Sequence, residues 1–199
     1  MKHFSFFIIL FIASFSAVSF PQTFGIGGGL STVQAPDAYT KDIIGGGLGL
    51  SSGYHIGAKL KLSIPLFPLT PVGSIIYSHF SGDQSTPIGD IKTSQSIWTI
   101  GAGAEYQIIP GPLSPYLAAD LEYNNFGDLS FEGGNLPVTF TGSGSRSRLG
   151  IAIGIGAELT ILPVIGLDAG IKYHFLNWFG KESGEETVSV MSYNLSIIF

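Results

Sequence analysis

Every second residue from Tyr193 through Leu195 and Ile197 to Phe199 is large and apolar, and Ser192, Asn194 and Ser196 fall on the other phase. A β-strand sends successive side chains to opposite faces, so this spacing gives one face for lipid and one for water. The alternation recurs along the chain. Leu149, Ile151, Ile153, Ile155, Leu159 and Ile161 alternate with Gly150, Gly154, Gly156, Glu158 and Thr160. Leu117, Ala119, Leu121 and Tyr123 oppose Asp120 and Glu122, and Leu167, Ala169, Ile171, Tyr173 and Phe175 oppose Asp168, Lys172 and His174. Ala102, Ala104, Tyr106 and Ile108 oppose Glu105 and Gln107; Ile56, Ala58, Leu60, Leu62 and Ile64 oppose Lys59, Lys61 and Ser63. Segment 24–30 reads as a glycine-loosened first strand, and in 73–80 the adjacent Ile75 and Ile76 leave the face assignment open. A tilted membrane strand needs about 9–11 residues, near the length of most of these segments. Lipid cannot satisfy an open sheet edge, so such a sheet must close on itself. The expected fold is all-β: an eight-stranded antiparallel up-and-down transmembrane β-barrel.

The connections alternate in kind. Proline-marked turns lie at 65–71, 110–115 and 162–164, whereas 34–42, 82–95, 127–147 and 180–186 are longer and more polar. Tight turns at one end and long loops at the other are the asymmetry of outer-membrane barrels, whose short turns are periplasmic. Both mature termini are then expected in the periplasm. A soluble eight-stranded barrel of the lipocalin kind would reverse the faces, apolar side chains inward around a ligand. Aromatic placement favours the membrane. Trp98, Tyr123, Trp178, Phe80 and Phe126 fall near one set of strand ends, and Tyr106, Tyr116, Phe67 and Phe199 near the other, as two interfacial girdles would require.

Residues 1–19 read as a signal peptide and 20–199 as the barrel. Lys2 and His3 precede a run from Phe4 to Ile12 that only Ser5 interrupts, and small residues follow. Cleavage after Ser19 fits best, because Ala17-Val18-Ser19 places small residues at both recognition positions; cleavage after Ala17 is the other option. The run is short for a spanning helix of about 20 residues. Over the whole chain, 28 glycines, 12% charged residues and 45% hydrophobic ones suit a membrane sheet better than a membrane helix. A net charge of −5 argues against nucleic acid, and the lack of cysteine removes disulfides, thiolate metal sites and a lipidated cysteine.

The terminal segment Tyr193, Leu195, Ile197, Phe199 resembles the C-terminal signal of bacterial outer-membrane proteins, alternating hydrophobes that end in an aromatic. With the signal peptide and turn asymmetry, the chain is similar to the small OmpA-like and OmpX-like barrels of Gram-negative bacteria. The resemblance implies outer-membrane lipid as the surroundings and recognition by the barrel-assembly machinery through this strand. No cell-wall tether is expected, because the sequence ends at Phe199.

Lys59, Lys61, Glu105, Asp120, Glu122, Glu158, Asp168 and Lys172 share the inward phase, and a lumen of eight strands is just wide enough for side chains to fill, so these charges are expected to pair. His79 and Ser81, two apart on one face, loosely resemble the histidine and serine of lipid A deacylases but lack the surrounding pattern, and no catalytic residue is assigned. The glycine runs at 27–29 and 45–47 are followed by neither Lys-Ser/Thr nor a helix, so no phosphate loop is expected; the sequence shows no convincing cluster of metal ligands either, and neither cofactor nor metal is expected. The function read from the sequence is a structural or surface-interaction role through the extracellular loops, with segment 127–147, carrying Phe131, Leu136 and Phe140, as the contact for an unknown external partner. A narrow pore for small solutes is the second reading and a lipid A-modifying enzyme the third.

Overall fold

The computed structural model describes residues 22–64, 69–86, 89–133, 140–142 and 146–199. The signal-peptide reading, Phe67, Leu136 and the side chain of Phe140 lie outside those bounds. The described strands are β1 (Gln22–Ala35), β2 (Ser52–Leu62), β3 (Leu69–Thr86), β4 (Gly89–Gln107), β5 (Leu113–Gly133), a short β6 (Phe140–Gly142), β7 (Arg146–Leu162), β8 (Ile165–Phe179) and β9 (Ser189–Ile198). Neighbouring long strands pair antiparallel in chain order, β5 pairs directly with β7, and β1 pairs with β9 to close an eight-stranded up-and-down barrel. The seam is fastened at its end by reciprocal bonds, the Phe24 and Phe199 amides each donating to the other's carbonyl at 2.8 Å.

Alternation carries through as a physical separation. Ile56, Ile100, Leu121, Ile153, Ile155 and Leu195 stand outward and exposed, whereas Lys61, Glu105, Asp120, Glu122 and Asp168 are buried inside. The open assignment on β3 resolves with Ile75 outward and Ile76 lining the lumen. Glycine makes the seam possible at Gly29, where an added Cβ would come within 1.7 Å of the Tyr193 carbonyl oxygen.

Several segments read as loops are strand instead. In 82–95 the chain continues as β3 and β4, paired as far as Thr86↔Gly89, and 127–133 belongs to β5, paired with β4 as far as Ile91↔Gly133. The strands read at 24–30 and 73–80 likewise lengthen to 14 and 18 residues. These stretches are polar because they have left the hydrocarbon, and both faces of a sheet can then carry polar side chains while the ladder still satisfies the backbone. Polarity marked the end of the membrane rather than the end of the strand. The first long connection also starts later than expected and folds inward. It contains α1 (Asp37–Thr40) and a 3₁₀ turn at Ile43–Gly45. Backbone bonds from Leu48 to Ala38, Gly49 to Lys41 and Leu50 to Tyr39 hold it together, and the Thr93 hydroxyl donates to the Leu48 carbonyl at 2.6 Å, pinning it to β4.

Candidate functional site: the filled lumen and its mouth

The inward phase of β2, β4, β5, β7 and β8 delivers all eight lumen charges to one interior, and the barrel sorts them into layers. Nearest the tight turns, the Lys61 ammonium is shared among Glu105, Glu158 and Asp168, and Lys59 binds Asp168 and lies 3.8 Å from Glu105. Glu105, Glu158 and Asp168 have carboxylate oxygens within 4.8 Å of one another, a spacing that could suit a metal ion. The Lys61 ammonium already takes that central position. Tyr116 donates to Asp168 at 2.8 Å and offers its ring face to Lys61, whose nitrogen is 4.9 Å from the centroid. Tyr116 is therefore a lumen residue and not part of a girdle: its even number puts it on the phase of Asp120 and Glu122.

One layer up, Lys172 donates to Asp120 at 2.5 Å. Above it His174 bridges Glu122 and Ser192, and His55 bonds Ser31 at 2.9 Å. A partly enclosed chamber of about 80 Å³ adjoins these groups, with room for roughly five waters or more. Next, Thr99 donates to the Asn124 side-chain oxygen, and Asn124 donates to the Leu176 carbonyl at 2.8 Å.

The mouth opposite the tight turns is filled by apolar side chains. Val33, Leu50, Phe80, Ile97, Phe126, Leu176, Val188 and Val190 form a buried cluster, and Tyr39, Leu48 and Leu129 pack on it. Phe80 and Phe126 were expected in a girdle but point inward, because face rather than position along the strand decides where an aromatic goes. Trp98, Tyr123, Trp178 and Tyr106, expected in the girdles, are all exposed on the outer face, with Trp98 packed on Tyr77 at 5.1 Å between ring centroids. Tyr193, Leu195, Ile197 and Phe199 also face outward along β9.

At the rim, a register shift in β8 between the pairs Leu149↔Phe179 and Ile151↔Phe175 turns both Leu176 and Asn177 inside. Asn177 donates to Glu185 and to the Glu186 carbonyl and accepts from the Val188 amide at 2.7 Å, which ties the last loop to the strand. Arg148 clasps the same loop through Glu185 and Glu182. Burial works to raise the Glu185 carboxyl, but the Arg148 guanidinium, the Glu182 amide and Asn177 outweigh it and hold it down at about 2. Burial pushes the Tyr39 hydroxyl up, partly opposed by Arg146. Between this loop, the first connection and β5 lies a groove of about 510 Å³, lined by Tyr39, Gln95, Phe126, Leu129, Arg146 and Val188 among others. On the outer face, His79 bonds Ser96 at 3.1 Å and packs on Tyr54, so its described partner is not Ser81.

A closed barrel with an apolar, aromatic-bearing exterior, tight turns at one end and filled layers within narrows the choice of family, and a family model decides it: the outer membrane protein beta-barrel domain matches residues 5–197. The chain belongs to that family. This outer-membrane barrel also shares its fold with solved structures. Neisserial surface protein A superposes with a TM-score of 0.59 at 19% identity, covering 89% of this chain and 95% of that one. Ail, the attachment invasion locus protein of Yersinia pestis, in complex with the heparin analogue sucrose octasulfate, gives 0.54 at 17% identity over 89% and 97%. A major outer membrane protein of Thermus thermophilus gives 0.52 at 12% identity over 89% and 98%. No curated protein matches this outer-membrane barrel.

Proposed function

We propose that this outer-membrane barrel is a non-conducting scaffold that presents an external binding surface, with both termini in the periplasm. The observation that carries the reading is the double filling of the lumen: a layer of paired charges around Lys61 and an apolar cluster around Leu50. Opposite charges packed in a narrow interior bind one another instead of a passing ion. On the loop side β3, β4 and β5 run on past the girdle, and loops on a rigid barrel carry recognition. Phe24, near the start of β1, meets Phe199 at the rim of the tight turns, which is the periplasmic rim in such barrels.

The external partner engages the hairpin of segment 127–147 and the groove beside it. A polyanion such as the heparin analogue held by Ail is a poor fit, since this chain carries −5 and two of its rim cations, Lys41 and Arg148, are engaged by carboxylates. The groove combines an apolar floor of Phe126, Leu129 and Val188 with Arg146 and Gln95, which suits a protein or peptide surface better.

The test has two arms. In planar bilayers the purified barrel is expected to stay silent; stable steps that shift when Lys172→Glu is introduced would establish a pore instead. Excising residues 128–142 is expected to leave the folded barrel intact and to abolish attachment of cells displaying it to other cells. Undiminished attachment would remove that segment from the binding surface.

A further inference from the structure

Three side chains on three different strands meet in the lumen in an order that neither the scaffold reading nor the ion-pair layer uses. Glu122 of β5, His174 of β8 and Ser192 of β9 form a single hydrogen-bonded line: Glu122 Oε1 lies 2.9 Å from His174 Nδ1, and His174 Nε2 lies 2.8 Å from Ser192 Oγ. All three are buried. In the tautomer that places the ring proton on Nδ1, His174 donates to Glu122 and its Nε2 lone pair accepts from the Ser192 hydroxyl. That is the geometry in which a carboxylate orients a histidine and the histidine takes a proton from a serine.

We propose that Glu122, His174 and Ser192 are an acyl-transfer site inside the barrel, acting on a small carboxylic ester. His174 and Ser192 both line the lumen chamber, so the hydroxyl faces space in which a reacting carbonyl can sit. Lys172 lies opposite Ser192 in register and lines the same chamber. Its ammonium has donors beyond the one given to Asp120, which is the charge a developing oxyanion needs. The apolar cluster above the chamber keeps bulk water away.

In the first step Ser192 Oγ bonds to the ester carbonyl carbon while its proton passes to His174 Nε2. The ester C–O bond then breaks, and the departing alkoxide takes that proton and leaves as an alcohol. Water adds to the acyl-Ser192 carbonyl with His174 again as base, and the carboxylic acid leaves as Ser192 regains its proton. Ester and water are the only reactants. Ser192 and His174 touch the reacting atoms, and Glu122 is a positioning residue.

The site is tested with methanesulfonyl fluoride, small enough for the chamber, on the full chain in detergent micelles. Attack by Ser192 expels fluoride, and peptide mass spectrometry locates the sulfonyl group. Labelling at Ser192 that disappears in Ser192→Ala, slows by about a hundredfold or more in Glu122→Gln and recovers in Glu122→Asp is expected. A merely structural Glu122 would not give that slowing and rescue in variants whose gel mobility shows a folded barrel. The variant Leu50→Ala, which opens the apolar cluster, guards against blocked entry. If neither the wild type nor Leu50→Ala is labelled at Ser192, or if Glu122→Gln reacts as fast as wild type, the proposal is wrong.

Discussion

At the scale of single residues, Lys61 has the most at stake, because one ammonium serves Glu105, Glu158 and Asp168 in a buried layer. Removing one member of a buried charge network leaves its partners uncompensated. Lys61→Met is expected to lower stability by about 3–5 kcal/mol, read from urea unfolding of the barrel in lipid vesicles, and an unchanged midpoint would show that the layer is not held by this cation. At the rim the Glu185 carboxyl is held at about 2, below its ordinary value of 4.5. A depressed carboxylate contributes its stabilisation above the unfolded value and loses it as pH falls through the folded one. Protease resistance of the last loop is therefore expected to be full at neutral pH and to fall between pH 4.5 and 2; Arg148→Gln should show the loss already at neutral pH. The lumen charges were legible in the sequence because parity alone assigns a face. Tyr116, Phe80 and Phe126 were misplaced because closeness to a strand end was allowed to override that parity. Glu122, His174 and Ser192 could not be brought together from sequence, since the contact depends on register across three strands rather than on spacing along one.

At the scale of elements, closure of β1 on β9 depends on close backbone approach. Gly29→Val places a branched side chain where even a Cβ would sit 1.7 Å from the Tyr193 carbonyl oxygen, whereas Gly73 has nothing within 4 Å. Gly29→Val is expected to prevent formation of the compact, boiling-sensitive species during refolding, and Gly73→Ala to leave its yield unchanged. Equal yields from both would show that the seam tolerates separation at that point. The membrane-spanning parts of the strands were legible because one lipid face forces strict alternation. Their extensions in β3, β4 and β5 were not, since above the membrane both faces can be polar and the period-2 signal fades while the hydrogen-bonded ladder continues. The inward fold of the first connection escaped for a related reason: Leu48 and Leu50 belong to a core assembled from separate places along the chain, and nothing local announces it.

At the scale of the whole molecule, an apolar exterior, a charged interior and a sealed edge demand one another. A sheet whose large hydrophobics face outward is stable only in lipid, lipid tolerates a sheet only when it closes, and a closed barrel of eight strands leaves an interior that side chains must fill. The most direct measurement of that account is the gel mobility of the detergent-refolded chain before and after boiling, with far-ultraviolet circular dichroism on the same sample. A β-rich spectrum together with a mobility shift on boiling is the expected result. A β-rich chain that stays monomeric in water without detergent and shows no shift would contradict the account, because the exposed Ile, Leu and Trp belt around this barrel could not then be its lipid-facing surface.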